Sequence, residues 1–185
     1  MNEESDRARI LDAAKRAFYE RGYGAVGMDD IRDAAGVSLR RLYREFPSKE
    51  QVVVGVLGEL HEDWERGLLA VVAGTDDPRA KVLAIYDYLA AWFGEDSFRG
   101  CGFINAFAEL GASSAAVAEI ARDHKESFQA YVRELVAAAG GSQKLASQLA
   151  ILAEGAQTTA AIAGTTSAAA DARDAARVLI DADAR

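Results

Sequence analysis

Apolar residues recur every three or four positions along most of the chain, and this spacing predicts helices rather than strands. The first pattern covers about residues 6–22, and two shorter ones cover about residues 28–35 and 39–45. Gly22 and Gly36 are typical helix stops, and Ser38 is a good N-cap for the third helix. The N-terminal part of the chain is therefore predicted to hold three helices, two of them short.

Six more patterns follow. Ser48 and Gln51 have the spacing of a capping box at the start of the fourth helix, and Asp77-Pro78 predicts the start of the fifth. Residues 103–110 are apolar nearly all round, so the sixth helix is predicted to be short and buried. The last three are expected from about residue 114, after Ser142, and over 169–183.

These patterns predict an all-α fold of about nine helices. Three helices form an N-terminal domain over residues 1–50, and six form a bundle over residues 51–185. The scarcity of proline, with two residues in the chain, agrees with a helical fold. No apolar run approaches the ~18 residues of a membrane span, so no membrane partner is expected.

Charge is distributed unevenly along the chain. The net charge is −8, which by itself argues against nucleic acid, yet residues 1–55 hold ten basic and ten acidic residues. The acidity therefore belongs to the remainder, and a neutral head can bind DNA if its basic groups share one face.

With one cysteine no intrachain disulfide can form, which favours a cytoplasmic location.

The third helix has a basic side and an apolar side. Arg40, Arg41 and Arg44 are spaced to share a surface, whereas Leu42 points the other way. The second and third helices meet at Gly36, which permits a sharp turn, so the segment has the geometry of a recognition helix for the major groove. The alternative is a solvated charged helix, and the two-helix context favours DNA.

Arginine can read guanine edges or hold phosphates, and these two roles stay open here. The hydroxyl of Tyr43 suits a phosphate, and Lys49 lies in a first helical turn, where backbone N–H groups attract anions. The predicted DNA-binding residues are Ser38, Leu39, Arg40, Arg41, Tyr43, Arg44 and Lys49.

The stretch from residue 9 to residue 54 contains a run of short motifs, namely Ile10-Leu11-Asp12-Ala13-Ala14, Phe18, Gly22-Tyr23, Asp30-Ile31, Ala34-Ala35-Gly36-Val37-Ser38, Leu42-Tyr43 and Phe46-Pro47-Ser48-Lys49-Glu50. With these motifs the stretch resembles the DNA-binding domain of the TetR family of transcriptional regulators. It covers about a quarter of the chain, and residues 102–106 also resemble the start of helix six in many members. The resemblance implies a homodimer, an operator DNA and a six-helix ligand-binding body, with Tyr43 and Lys49 at positions that usually contact phosphates.

The chain departs from the family pattern at two places. Val26 and Gly27 stand where the family often has hydroxyl residues, so we expect a weakened cap on the second helix and one fewer hydrogen bond to the DNA backbone. The recognition helix reads Leu39-Arg40-Arg41 instead of the frequent Lys-Gly-Thr/Ser. We therefore expect an operator that is read largely by arginines.

Aromatic and polar residues are concentrated in the middle helices. For each of them core packing is the simpler interpretation, whereas the set together suggests an apolar ligand site with a few polar groups, His124 and Asn105 among them. The predicted ligand-binding residues are Trp64, Tyr86, Trp92, Phe93, Phe103, Asn105, Phe107, His124 and Phe128. The ligand would be a small, mostly hydrophobic effector that shifts the fourth helix.

The last two helices are rich in small residues and apolar on more than one side. A twofold four-helix interface would cover the second side, although both sides could also pack within one chain. The predicted dimerisation residues are Leu149, Leu152, Ala153, Ala156, Ala160, Ala176, Leu179 and Ile180.

Other classes of function have less support. The sequence has no nucleophile elbow, phosphate loop or dinucleotide fingerprint, so we expect neither an enzyme nor a cofactor. Two histidines and one cysteine without close spacing predict no metal site. Cys101 could sense redox state, but a lone thiol is more often inert, and a plain helical interaction protein would not need the arginine face. The sequence thus predicts a homodimeric repressor released from a palindromic operator by its ligand.

Overall fold

The structure, a computed structural model, describes residues 5–183. Residues 1–4 and 184–185, the outer ends of the two predicted domains, lie outside the described residues. Within residues 5–183 the chain forms nine helices and no strand, which confirms the predicted all-α fold. The helices are α1 (Asp6–Arg21), α2 (Met28–Ala35), α3 (Leu39–Glu45), α4 (Lys49–Val72), α5 (Pro78–Phe93), α6 (Gly102–Leu110), α7 (Ala115–Ala138), α8 (Gln143–Ala163) and α9 (Ser167–Asp183).

Local capping explains where several helices begin. The Asp77 carboxylate accepts the backbone N–H of Ala80 at 2.8 Å, and Pro78 fills the first helical position of α5. The Ser142 hydroxyl accepts the backbone N–H of Leu145 at 3.1 Å and starts α8. Because such caps satisfy N–H groups that have no partner inside the helix, the sequence signals were sufficient to place these starts.

The chain divides into two compact units. The head unit consists of residues up to Glu62 together with Gly102–Asp123, and the body unit consists of Asp63–Cys101 together with the chain from His124 onward. The division therefore falls inside α4 and inside α7. The boundary predicted after residue 50 separates a DNA-binding domain from a ligand-binding and dimerisation domain, and it stays a prediction.

Each unit has its own core. In the head unit α1 packs against α2 and α3, and Ile10, Ile31 and Leu42 are fully buried. In the body unit α5, α8 and α9 pack together around side chains such as Leu89 and Ala176. Small residues on α8 and α9 let these helices approach closely.

The sixth helix differs from its prediction. Phe103 and Ala106 are buried, but the side chain of Phe107 is 55% exposed. Neighbouring helices cover only one stripe of α6, and the Phe107 ring lies against Gly111 just beyond the helix end. The expectation of a helix buried on all sides was therefore wrong.

No helix among the described residues is both long enough and apolar enough to cross a lipid bilayer.

Candidate nucleic-acid interface

The turn between α2 and α3 is built on Gly36. Its φ of 63° and ψ of 35° lie in the left-handed region, which glycine adopts without the cost of a side chain. Arg9 of α1 holds this turn, because its Nη2 donates to the backbone carbonyls of Ala35 at 2.7 Å and Gly36 at 3.2 Å. The angle between the two helices is thus fixed by a glycine and by a guanidinium from a third helix.

The inner side of α3 is anchored in the head core. Leu42 is fully buried and Phe46 is 1% exposed, as their spacing predicted. The Arg7 guanidinium lies 4.5 Å from the centroid of the Phe46 ring, a cation–π distance. At the other end, the Ser38 hydroxyl accepts the backbone N–H of Arg41 at 3.3 Å. These contacts fix the rotation of α3 about its own axis.

That rotation exposes the opposite side of α3. Leu39 is 44% exposed and Tyr43 is 46% exposed. Arg40, Arg41 and Arg44 are exposed on the same short helix. Five of the seven predicted DNA-binding residues therefore share an exposed surface behind a fixed turn, and their contact with DNA stays a prediction.

An acidic residue that the sequence reasoning missed lies beside two of these arginines. Asp6, in the first turn of α1, accepts from Arg44 Nη2 at 3.2 Å and from Arg41 Nη1 at 3.5 Å. Glu45 accepts from Arg44 at 2.8 Å, and this hydrogen bond raises the pKa of Arg44. Arg40 makes no ion pair with any described residue. No local signal could have revealed the Asp6 contacts, because they join positions 35 and 38 residues apart.

Lys49, at the start of α4, is partly used by the fold. Its ammonium donates to the backbone carbonyl of Gly24 at 3.1 Å, and partial burial lowers its pKa. An ammonium has three donors, so Lys49 can serve Gly24 and a phosphate at the same time. The hydrogen bond to Gly24 leaves donors of Lys49 for a phosphate, and the predicted phosphate contact stays a prediction.

The N-terminus of α2 has the weakened cap that Gly27 predicted. Gly27 offers no side-chain acceptor, and no side-chain cap hydrogen bond forms there. Asp30 supplies the reverse half of a capping box by accepting the Gly27 N–H at 2.7 Å. This bond, followed by the hydrogen bond from Arg21, lowers the pKa of Asp30.

Within the head unit, α6 and the residue before α7 contact the N-terminal segments. Glu109 accepts the backbone N–H of Gly24 at 2.6 Å, and the hydroxyl of Ser114 donates to Glu50 at 2.5 Å. Sequence reasoning did not assign Glu109 or Glu50 to these contacts, because each joins segments more than 60 residues apart. The loop between α1 and α2 is therefore held from α6 as well as from α4.

Known proteins share both the head sequence and the whole fold. Residues 10–56 match the family described as "Bacterial regulatory proteins, tetR family", a span covering most of α1, all of α2 and α3, and the start of α4. The fold is similar to that of a TetR-family transcriptional regulator from Streptomyces coelicolor, with a TM-score of 0.91 over 97% of this chain and 96% of that chain at 24% identity. The fold is also similar to that of a TetR transcriptional regulator from Chloroflexus aurantiacus, with a TM-score of 0.81 over 95% of this chain and 94% of that chain at 24% identity. Residues 10–56 therefore belong to the tetR family of bacterial regulatory proteins.

Curated TetR relatives match over shorter spans. The HTH-type transcriptional activator FasR of Mycolicibacterium smegmatis is 38% identical over 87 residues, 45% of this chain and 40% of FasR. The HTH-type transcriptional repressor KstR2 of Rhodococcus jostii is 38% identical over 79 residues, 43% of this chain and 39% of KstR2. The chain therefore spans less than half the length of these curated relatives.

The predicted ligand-binding residues are distributed over both units. In the body unit the Trp64 ring lies edge-on to His124 at 5.1 Å and to Phe128 at 5.3 Å between centroids. Tyr86 is buried elsewhere in the same core and donates its hydroxyl to the Leu149 carbonyl at 2.9 Å, and burial raises its pKa. Two more predicted ligand residues, Trp92 and the buried Phe93, lie in the body unit, and their ring centroids are 6.0 Å apart.

The other three predicted ligand residues belong to the head unit. Phe103 is buried, Asn105 is half-buried and Phe107 is exposed on α6. The body unit has a cavity of about 190 Å³ beside Arg79 and Leu145, and a smaller one of about 110 Å³ beside Arg133. No predicted ligand residue lines either of these two cavities among the described residues. The ligand site stays a prediction, with the contacts around Trp64 as its best-formed part.

The predicted dimerisation residues lie mostly on the side of α8 and α9 that the chain itself covers, and their role in a dimer stays a prediction. Six of its residues are at least nine-tenths buried in the chain's own core, namely Leu149, Ala153, Ala156, Ala160, Ala176 and Ile180, while Leu152 and Leu179 are half-buried. The small residues let α8 and α9 pack against each other and α5, so that side of the helices is already covered. The exposed apolar residues of α8 and α9 are different ones: Ile151 at 71%, Ile162 at 83% and Val178 at 64%.

Cys101 is buried, and its sulfur lies 3.4 Å from the Lys125 ammonium. The same ammonium is 2.7 Å from a carboxylate oxygen of Glu154. A buried thiol reacts slowly with oxidants because access limits the reaction. The burial of Cys101 agrees better with an inert thiol than with a redox sensor.

Proposed function

We propose that this TetR-family chain is a cytoplasmic, sequence-specific DNA-binding transcriptional regulator, and a binding protein rather than an enzyme. The observation that carries the proposal is the exposed side of α3, with Arg40 unpaired among the described residues and Leu42 buried behind it. A helix presented in this way fits the major groove, where an arginine can pair bidentately with guanine.

The proposed protein binds a palindromic operator as a homodimer. Exposed Ile151, Ile162 and Val178 support this part, because such large apolar side chains on two adjacent helices favour burial against a second copy. A twofold dimer would present two α3 helices to half-sites about 34–36 Å apart, one turn of DNA. Operator symmetry would then mirror protein symmetry.

A small, mostly hydrophobic ligand is proposed to release the DNA. Trp64, His124 and Phe128 support a site in the body unit, because they combine aromatic surface with one buried polar ring. Trp64 lies on α4, and three residues separate the start of α4 from the end of α3. A ligand can shift the chain toward its non-binding form only by as much as it prefers that form.

Repression is the proposed outcome of DNA binding, as in the name of the Rhodococcus jostii relative. A reporter gene placed behind the operator tests whether the chain represses or activates transcription. Expression that falls when the chain is produced supports repression. Expression that rises instead supports the role named for FasR.

Selection of bound duplexes from a random DNA pool tests the proposal as a whole. The purified full chain is expected to enrich a palindrome with guanine in each half-site, and Arg40→Ala is expected to lose preference at one position per half-site. Failure of the wild-type chain to enrich any palindrome would overturn the proposed function.

A further inference from the structure

One carboxylate, that of Asp6, faces three guanidinium groups in the head unit. Its oxygens lie 3.2 Å from Arg44, 3.5 Å from Arg41 and 4.0 Å from Arg9, and its side chain is 17% exposed. Asp6 lies in the first turn of α1, where the helix dipole and free N–H groups favour a negative charge. The chain therefore holds a fixed anion against its own recognition helix.

The three guanidiniums are not equivalent. Arg9 donates to the turn carbonyls and is committed to the fold. Arg41 and Arg44 are 58% and 62% exposed, so they are free to meet a ligand on their outer side. A carboxylate and a phosphate offer guanidinium the same kind of charged acceptor, so Asp6 occupies donors that a DNA phosphate would use.

We propose that Asp6 is a positioning residue that sets DNA specificity by holding Arg41 and Arg44 away from general phosphate contacts. Arg40, which lacks such a partner among the described residues, remains available for a base edge. This inference rests on the proposed function, because it assigns Asp6 a role only in DNA binding.

A complex with non-specific DNA and a complex with the operator are expected to respond differently to loss of the Asp6 carboxylate. Each additional phosphate contact steepens the slope of log K against log salt by about 0.9, equivalent to about eightfold tighter binding at 0.1 M salt. A non-specific complex gains this in full, because it tolerates loosely held side chains. An operator complex gains less, since two arginines that Asp6 had oriented must now be ordered on binding.

Binding of full-length variants to two labelled duplexes tests the proposal. The probes are the palindrome that the wild-type chain enriches and a shuffled duplex of the same composition, titrated by fluorescence anisotropy between 50 and 200 mM salt. Asp6→Asn is expected to bind the shuffled duplex about eightfold more tightly with a slope steeper by about one, and to change operator affinity less than threefold. The ratio of the two affinities should fall accordingly.

Asp12→Asn is the matched control. It removes the same charge from an exposed carboxylate of α1, which pairs with Arg16 rather than with an arginine of α3. Asp12→Asn should retain the wild-type slope and ratio, and Asp6→Glu should restore them in part. If Asp6→Asn fails to fold, Asp6→Ser removes the charge while keeping a residue suited to a helix start.

Three results separate the possible failures. An Asp6→Asn protein whose slope and ratio equal those of Asp12→Asn overturns the role of Asp6. Equal loss of affinity for both duplexes also overturns it, because that result indicates support of the fold alone. A wild-type chain that binds both duplexes equally overturns the proposed function, and the role of Asp6 with it.

Discussion

Gly36→Ala is expected to destabilise the head unit by more than its backbone conformation alone requires. Gly36 has φ 63° and ψ 35°, and Gly164 at the end of α8 has nearly the same values, φ 63° and ψ 34°. An added Cβ at Gly36 would lie 3.1 Å from Arg9 Nη2, whereas at Gly164 it would meet nothing within 4 Å. The two glycines therefore form a matched pair that differs in the contact with Arg9.

The expected magnitudes follow from these distances. A residue with a side chain costs about 1–2 kcal/mol in the left-handed region, and Gly164→Ala should show this cost alone. Gly36→Ala adds displacement of a guanidinium that makes hydrogen bonds at 2.7 and 3.2 Å. Arg9 is partly exposed, so water replaces some of these hydrogen bonds, and we expect about 1 kcal/mol more. The total for Gly36→Ala is thus about 2–3 kcal/mol.

Urea denaturation followed by far-UV circular dichroism measures both variants, each on the transition in which the substituted unit unfolds. The same pair is then measured with Arg9→Ala in the background. Removal of Arg9 should abolish the excess and make the two glycine substitutions equally costly. Equal costs of the two substitutions already in the presence of Arg9 would mean that the guanidinium contributes nothing to the stability of the turn, contrary to this prediction.

Three further predictions concern acid stability, assembly and the head loop. Hydrogen bonds from Ser142 lower the pKa of Asp183, so their stabilisation is present above the unfolded pKa and is lost as the pH falls through the folded value. Asp183→Asn should flatten the acid limb of a stability–pH curve, and an unchanged limb would contradict this. Ile151→Glu should convert a dimer to a monomer in light scattering at micromolar concentration, while Leu69→Glu, also at an exposed apolar residue, should not. Glu109→Ala should speed hydrogen exchange at the amide of the α1–α2 loop that it now binds, and wild-type exchange there would argue against that bond.

Features determined by neighbouring residues could be predicted from the sequence. The ends of α2 and α3 follow from Gly36 and Ser38, whose backbone and capping requirements are local. The inward direction of Leu42 follows from helical spacing alone, so the exposed side of α3 follows as well. The missing cap at Gly27 could likewise be anticipated from its lack of a side chain.

Features that depend on tertiary packing could not be predicted in the same way. The spacing of Ala153 and Ala176 indicates an apolar side, but it does not say whether the same chain or a second copy covers it. Phe107 shares the apolar composition of α6, yet the neighbouring helices cover a different stripe. Asp6 reads as an ordinary first-turn acid, and its contacts exist only because α1 and α3 pack together.

Sequence-specific recognition is measured by the affinity of the purified chain for its selected palindrome, compared with a shuffled duplex at one fixed salt concentration. We expect the ratio of the two affinities to be at least about a thousand. Arg40→Ala should lower the ratio by the equivalent of about 1–3 kcal/mol, whereas Arg16→Ala, which removes an exposed arginine from α1, should not. Equal loss of affinity for both duplexes in Arg40→Ala would assign Arg40 to phosphate instead of a base. Equal affinity of the wild-type chain for the two duplexes would contradict sequence-specific recognition altogether.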